Sequence, residues 1–243
     1  MISAEELKHI YKPMLLEQTS VSDDDPQLIY LRRFLDANLE LNILDAASGN
    51  GRYAFYLSRK GYRNITGIDL FPTIDTLGDF KYICSSLDNI NLLASSMDFV
   101  YCLSALYYLK DPTSGFVEFY KVMKPGAILI LSAHTKYSIF TLERIVRRGF
   151  GGARHLKGVY FFAAIEYIHM LRFAGFEVLD VDGFNFFYPN DFSLIMRRLL
   201  RKTGREAQIY PYSNGRINAF AKAVRSRFAY HMLIAARKPK LLR

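Results

Sequence analysis

Residues 42–52 read Asn-Ile-Leu-Asp-Ala-Ala-Ser-Gly-Asn-Gly-Arg, an apolar run that ends in an acid and is followed by a glycine-containing turn. An apolar run of this length before Gly49 and Gly51 predicts a β-strand that leads through a tight turn into an α-helix. Small residues in the turn let a ligand come close to the backbone, and the first helical turn offers unpaired N–H groups. In an α/β protein such a turn indicates a nucleotide or cofactor site.

Two classes of cofactor fit this turn. Residues 49–54, Gly-Asn-Gly-Arg-Tyr-Ala, match the G-x-G-x-x-G/A pattern of dinucleotide-binding proteins, in which a pyrophosphate lies at the helix N-terminus. Asp45, however, lies four residues before Gly49, where its carboxylate would repel a pyrophosphate and attract an ammonium group. S-adenosylmethionine has a cationic amino-acid end and an adenosine end, so the position of Asp45 favours this methyl donor over a dinucleotide.

Strands and helices alternate on both sides of the turn, which predicts a mostly parallel, doubly wound sheet. The predicted strands cover residues 42–47, 64–70, 81–85, 97–103, 127–132, 176–181 and 228–237. The predicted helices cover residues 26–38, 51–60, 112–123 and 163–174. Ligands of such sheets bind at the carboxyl ends of the strands, where Asp45, Asp69, Ser85 and Leu103 fall.

The chain of 243 residues is predicted to form one domain, residues 1–243, with three parts. Residues 1–40 form a helical cap, residues 41–135 the cofactor-binding half and residues 136–243 the substrate-side half. The last part contains an insert at about 183–227, because a long connection separates the last two predicted strands. Within it, residues 194–202 form a candidate basic amphipathic helix.

Charge is distributed unevenly along the chain. Residues 1–135 carry 12 basic and 16 acidic side chains, a net charge of −4, whereas residues 136–243 carry 20 and 7, a net charge of +13. A strongly basic half indicates an anionic substrate, a nucleic acid or a membrane surface as partner, with a solvated basic face as the alternative.

Composition predicts a cytoplasmic protein. No apolar run reaches the about 18 residues of a membrane span, and the N-terminus lacks the basic-then-apolar pattern of a secretory signal. Cys84 and Cys102 lie in apolar, strand-like runs without metal-binding spacing, so both are expected to be buried, reduced thiols and no metal site is predicted.

Five motifs in order resemble those of the class I S-adenosylmethionine-dependent methyltransferases, in particular the small-molecule branch related to the ubiquinone and menaquinone methyltransferases. The motifs are residues 43–52, 67–70, 97–112, 122–127 and 174–178. The resemblance covers about residues 42–135 and extends more loosely to Val181. It completes the predicted fold: α/β, a doubly wound, Rossmann-like, mostly parallel sheet of seven strands with an antiparallel last strand, N-terminal helices and a basic helical insert.

The resemblance implies S-adenosylmethionine as cofactor, with S-adenosylhomocysteine as product. It places Asp69 against the ribose hydroxyls, Asp45 towards the methionine end, and Leu70 and Leu87 on either side of the adenine ring. The full set of expected cofactor-binding residues is Asp45, Ala47, Gly49, Gly51, Asp69, Leu70, Ser86, Leu87 and Leu103.

Three positions depart from the family pattern. Ala47 replaces the first glycine of the turn, which is acceptable if its φ is negative. Ser85 and Ser86 stand where the family often has an acid near the adenine amino group, and Tyr108 stands where it often has a histidine.

Methyl transfer requires mainly positioning and desolvation, and a general base only when the acceptor must lose a proton. His134, just past the fifth predicted strand, is the leading candidate for that base, and His155 is a further one. Tyr108 is the second predicted catalytic residue and would line the acceptor pocket with Tyr107. Tyr11 is a candidate to cover the methionine end.

The leading hypothesis is a methyltransferase acting on a small-molecule acceptor that is anionic or linked to a lipid or glycan, with an oxygen acceptor favoured over nitrogen or carbon. An RNA methyltransferase that uses the basic half is the alternative, as is a cofactor-binding subunit without activity. A nicotinamide oxidoreductase is a further one. Peripheral membrane contact is a secondary expectation, and nucleic acid is a less favoured partner.

Overall fold

A computed structural model describes residues 20–71, 80–149, 158–185 and 219–240 of the chain. The predictions for Tyr11, His155 and the basic helix at residues 194–202 lie outside the described residues.

Seven strands form one sheet in the order β3-β2-β1-β4-β5-β7-β6. Their bounds are β1 Asn42–Ala46, β2 Asn64–Asp69, β3 Lys81–Cys84, β4 Met97–Leu103, β5 Met123–His134, β6 Glu177–Phe184 and β7 His231–Arg237. The first five strands pair in parallel, and β7 runs antiparallel to both β5 and β6. The predicted mostly parallel sheet with an antiparallel last strand is therefore confirmed.

Helices pack on the sheet between the strands. Their bounds are α1 Pro26–Arg32, α2 Arg52–Arg59, α3 Pro112–Val122, α4 Ile139–Gly149, α5 Ala164–Phe173 and α6 Ala219–Phe228, with a 3₁₀ turn at Leu106–Tyr108. Asp25 caps α1, because its carboxylate accepts hydrogen bonds from the N–H groups of Gln27 (2.9 Å) and Leu28 (3.0 Å). The helix α6 lies in the predicted insert and carries Lys222, Arg225 and Arg227.

The first helix is shorter than predicted, because it ends at Arg32 instead of about Asn38. The side chain of Asp36 accepts a hydrogen bond from Asn38 N (2.9 Å), and that of Asn38 accepts one from Glu40 N (3.0 Å). Side chains of this type compete with the helical backbone hydrogen bonds and favour turns.

Two strands also begin three or four residues away from their predicted starts. Strand β5 already begins at Met123, which pairs with Met97, and the register then shifts so that Phe99 pairs with Ile128. Phe228, predicted to begin the last strand, closes α6, and Ala229 N still donates to the carbonyl of Arg225 (2.9 Å).

Buried apolar side chains form a core on each face of the sheet. Residues adjacent along a strand alternate between the two, so that Ile43 lies in the core under α1 and α2 while Leu44 lies in the opposite core with α3 and α5. Cys102 is buried as predicted, but Cys84 is exposed, because β3 is the edge strand of the sheet. Among the described residues, no helix is long and apolar enough to cross a membrane.

Candidate functional site

A cavity of about 260 Å³ opens at the carboxyl ends of β1, β2 and β4. This is the edge at which doubly wound sheets bind ligands. Nine of the predicted site residues line it: Asp45, Ala47, Gly49, Asp69, Leu70, Ser86, Leu87, Leu103 and Tyr108. Gly51 and His134 do not line the cavity.

The glycine-containing turn is held against β2 by its backbone. Ser48 N donates to the carbonyl of Ile68 (2.9 Å), and Gly51 N donates to the carbonyl of Ser48 (2.8 Å). Gly51 precedes the first residue of α2 with a φ of 77°, and a Cβ at that position would lie 2.2 Å from Phe80 Cζ. Gly51 therefore shapes the turn and the start of the helix from behind the cavity.

Ala47 has a positive φ of 61°, so the condition under which an alanine is unstrained in this turn is not met. A left-handed backbone brings the Cβ of an L-residue too close to the carbonyl oxygen, at a cost of about 1–2 kcal/mol. The turn therefore keeps the backbone shape that a glycine would adopt without strain, and the alanine methyl group lines the cavity.

Replacing Ala47 by glycine is expected to stabilise the protein by about 0.5–1 kcal/mol. The relief of left-handed strain exceeds the entropy that a glycine adds to the unfolded chain, about 0.4–1 kcal/mol. Urea unfolding of wild type and Ala47→Gly measures the difference. Ala54→Gly, inside α2, is the matched control and should lose stability, and a loss in both variants would contradict the strain at Ala47.

Asp45 supplies a buried carboxylate to the cavity. Among the described residues, its Oδ2 atom has no hydrogen-bond partner. Burial raises the pKa of Asp45 to about 7, and the charge of Asp69 adds to this rise, whereas the hydroxyl of Tyr101 offsets part of it. An unsatisfied buried carboxylate oxygen is costly on its own and fits the ammonium group of an amino-acid ligand.

Asp69 is the last residue of β2, where it lines the cavity and forms a hydrogen bond with the turn. Its Oδ2 accepts a hydrogen bond from Gly49 N (2.8 Å), and its Oδ1 accepts one from Phe71 N (3.1 Å). Burial raises the pKa of Asp69, and these backbone donors act in the opposite direction. A carboxylate has about four acceptor positions. Acceptor capacity therefore remains for a ribose hydroxyl.

A buried polar network behind the cavity was not predicted from the sequence. The Oε1 atom of Gln27 accepts hydrogen bonds from the hydroxyls of Ser104 (3.1 Å) and Ser132, and its Nε2 donates to the hydroxyl of Tyr53 (3.1 Å). Ser104 has a positive φ of 58°, and both it and Tyr53 line the cavity. Helix α1 therefore holds two cavity residues in place from behind.

The far end of the cavity is aromatic. Tyr107 and Tyr108 both line it, with ring centroids 4.4 Å apart in an edge-to-face arrangement. His134 lies behind Tyr107 and stacks on its ring at 4.2 Å, while the ring of Tyr230 stacks on His134 at the same distance. Burial lowers the pKa of His134 well below its ordinary value, with His231 and Arg144 adding to this effect. Its role as a general base stays a prediction, and its position favours packing.

Comparison with known proteins agrees with this geometry. A sequence model of the family described as a methyltransferase domain matches residues 44–131, which span β1 to β5. An S-adenosylmethionine-dependent methyltransferase from Thermotoga maritima has the same fold, with a TM-score of 0.64 and 18% identity over 96% of this chain and 93% of the other.

Two relatives are similar in sequence over part of their length. A ubiquinone biosynthesis O-methyltransferase from Xanthomonas axonopodis pv. citri is 27% identical over 169 residues, which cover 62% of this chain and 70% of the relative. A malonyl-[acyl-carrier protein] O-methyltransferase from Pectobacterium atrosepticum is 24% identical over 123 residues, about half of each chain. Three features support the same assignment: the strand order, the turn between two carboxylates and the matching family model. This chain carries a methyltransferase domain at residues 44–131 and has the fold of the class I S-adenosylmethionine-dependent methyltransferases, enzymes that use S-adenosylmethionine as cofactor.

Proposed function

We propose that the enzyme methylates a hydroxyl group on a small aromatic acceptor. The observation that carries this proposal is the pair of tyrosine rings, Tyr107 and Tyr108, in the cavity wall after β4. Asp45 and Asp69 lie on the side of β1 and β2, whereas Leu103, Tyr107 and Tyr108 follow β4. Aromatic walls favour a flat acceptor ring through offset or edge-to-face contacts. Both relatives described above are named O-methyltransferases, which supports oxygen as the acceptor atom.

The polar side of the cavity would hold the cofactor. Asp45 would pair with its ammonium group, Asp69 would accept from its ribose hydroxyls, and Leu70 and Leu87 would contact the adenine ring. Ser86 lies beside Leu87, where its hydroxyl could meet the adenine amino group. When bound, S-adenosylmethionine supplies a methyl group activated by the positively charged sulfur.

The aromatic side would orient the acceptor and exclude water. Correct positioning of two reactants contributes about 7–11 kcal/mol to such a transfer, so the shape of this wall matters more than a strong base. Tyr108 would contact the acceptor directly. His134 would act as a positioning residue, because its ring supports that of Tyr107 from behind.

A radiolabel assay tests the proposal. The purified enzyme is given methyl-labelled S-adenosylmethionine with four acceptor classes: dihydroxylated aromatic acids, aromatic amines, aliphatic carboxylic acids and structured RNA. We expect label on the aromatic hydroxyls, together with a fall of roughly tenfold or more in kcat/KM in the Tyr108→Leu variant, which loses the aromatic ring, and little change in S-adenosylhomocysteine affinity. Tyr62→Leu, at a tyrosine remote from the cavity, is the matched control.

The competing acceptors give distinct results. Label found only on amines or carboxylic acids would overturn the assignment of the acceptor atom. Label on RNA, with binding that weakens steeply as salt rises, would favour the RNA methyltransferase alternative. A Tyr108→Leu variant with unchanged kinetics on an aromatic hydroxyl would remove Tyr108 from the acceptor site.

A further inference from the structure

Helix α4 turns its apolar face outward. The side chains of Ile139, Leu142, Ile145 and Val146 are 49%, 50%, 44% and 57% exposed. These residues recur at the spacing that places them along one side of a helix. The inward side carries Phe140, which is 3% exposed, and Thr141, which is buried. A helix that only covers the core turns its apolar side inward. Helix α4 also has an apolar side that faces outward, which suits contact with a partner.

The exposed apolar side chains concentrate in this one segment. Among the described residues, thirteen large hydrophobic side chains are exposed, and five of them lie between Tyr137 and Val146. Single exposed hydrophobic residues are ordinary on protein surfaces, but a contiguous patch marks an interaction site. We call residues 137–146 the α4 patch.

Charge distinguishes between the candidate occupants of the α4 patch. Helix α4 contains Arg144, Arg147 and Arg148 and a single acid, Glu143, and it belongs to the half of the chain with a net charge of +13. A second copy of this chain would bring an equally basic surface to the contact, which electrostatic repulsion disfavours. A partner with an apolar interior and an anionic outer layer matches both the apolar patch and the positive charge of the helix.

We infer that helix α4 docks on the surface of an anionic lipid bilayer, with the α4 patch at the boundary between headgroups and acyl chains. A helix with a strong apolar side, low overall hydrophobicity and basic residues binds bilayers in this way. The apolar side chains enter the boundary, and the net positive charge of the helix and of its half of the chain attracts the anionic headgroups. The inference does not depend on which acceptor the enzyme methylates.

The α4 patch lies at the same end of the sheet as the cavity. Helix α4 follows β5 at its carboxyl end. The guanidinium of Arg144 lies 5.0 Å from the ring centroid of Tyr230, and stacked rings continue from Tyr230 through His134 to Tyr107 in the cavity wall. A docked α4 helix would therefore bring the aromatic side of the cavity close to the bilayer.

Vesicle co-sedimentation tests the inference. We expect the wild-type protein to sediment with vesicles of phosphatidylcholine and phosphatidylglycerol, to sediment much less with phosphatidylcholine alone, and to be released as salt rises. The double variant Leu142→Glu with Ile145→Glu should lose roughly tenfold or more of its vesicle affinity, because it places charges on the face that would enter the bilayer. Phe173→Glu is the matched control, because Phe173 is 82% exposed on α5.

Four results would overturn the inference. Equal binding to both kinds of vesicle would mean that the anionic lipid is not recognised, and equal loss in the Phe173→Glu control would mean that α4 is not the docking element. A wild-type dimer that the double variant converts to a monomer, without vesicle binding, would assign the α4 patch to self-association. A clear fall in the unfolding midpoint of the double variant, again without vesicle binding, would mean that the chain itself covers the patch.

Discussion

Replacing Asp45 by asparagine is expected to weaken S-adenosylhomocysteine binding by roughly 10- to 100-fold at pH 8. The buried Oδ2 atom of Asp45 has no partner among the described residues, so the ligand ammonium group would form a charge-assisted contact there. Such contacts contribute about 1.5–3 kcal/mol, and each 1.4 kcal/mol changes affinity tenfold. Calorimetric titration of both proteins measures the loss. Asp36→Asn, at an exposed turn, is the control and should bind normally.

The same carboxyl predicts how binding depends on pH. Because burial raises the pKa of Asp45 to about 7, the group is mostly protonated below that pH and must lose its proton to pair with an ammonium group. Affinity should therefore fall by up to about tenfold for each pH unit below 7. The Asp45→Asn variant lacks the titrating group, so its affinity should change little between pH 6 and pH 8, about one unit on either side of the transition. A parallel slope in both proteins would assign the pH dependence to another group.

Stability should respond in the opposite direction. The pKa of Asp45 is higher in the folded protein than its ordinary value of 3.8, so the folded state binds more protons between these two values. The free energy of unfolding of the ligand-free protein therefore decreases as pH rises from about 4 to above 7. Asp45→Asn removes this loss, and the variant should unfold at a higher temperature than wild type at pH 8. A variant that loses both stability and affinity would instead show a structural role for the carboxylate.

The parallel core of the fold and the polar part of the site were predictable because local sequence determines them. Strand β4 was predicted at residues 97–103 and is found there, since its apolar run is buried on both faces of a parallel sheet. Asp45 and Asp69 each end such a run, and strand ends in a parallel sheet meet at one edge. Whether these residues bind the cofactor stays a prediction that the Asp45→Asn experiment addresses.

Features that depend on distant contacts were not predictable. Gln27 and Ser104 are 77 residues apart in sequence, and nothing near either residue indicates their hydrogen bond. The positive φ of Ala47 follows from the turn that β1 and α2 require together, not from the alanine itself. Helix α4 was not predicted from the sequence, and periodicity alone would not give the direction of its apolar side, which packing decides.

His134 illustrates how the end of a strand can mislead. The prediction placed it just past the fifth strand at the edge that faces the cavity. In the structure it is the last residue of β5, and the ring of Tyr107 lies between it and the cavity. A general base must come within hydrogen-bond distance of the proton that it takes, and His134 is not among the residues that line the cavity.

A buried ion pair between Asp182 and Arg225 is expected to dominate the attachment of α6 to the sheet. The Asp182 side chain is 0% exposed, and Arg225 donates to it from Nε (2.9 Å) and Nη2 (2.7 Å). Arg225→Met should lower the free energy of unfolding by about 3–5 kcal/mol, because it removes the main counter-charge of a buried carboxylate. Arg33, at 4.0 Å, would offset part of this loss, which favours the lower end of the range.

Urea unfolding with matched variants separates the buried charge from general packing of the helix. Lys222 lies on the same helix and forms a partly exposed ion pair with Asp180 of β6 (2.7 Å). Lys222→Met should lower the free energy of unfolding by less than about 1 kcal/mol. Adding Asp182→Leu to Arg225→Met should recover much of the stability, because an apolar pair can replace a buried ion pair. Equal losses at Arg225 and Lys222, or no recovery in the double variant, would mean that α6 is held by its apolar contacts and not by this pair.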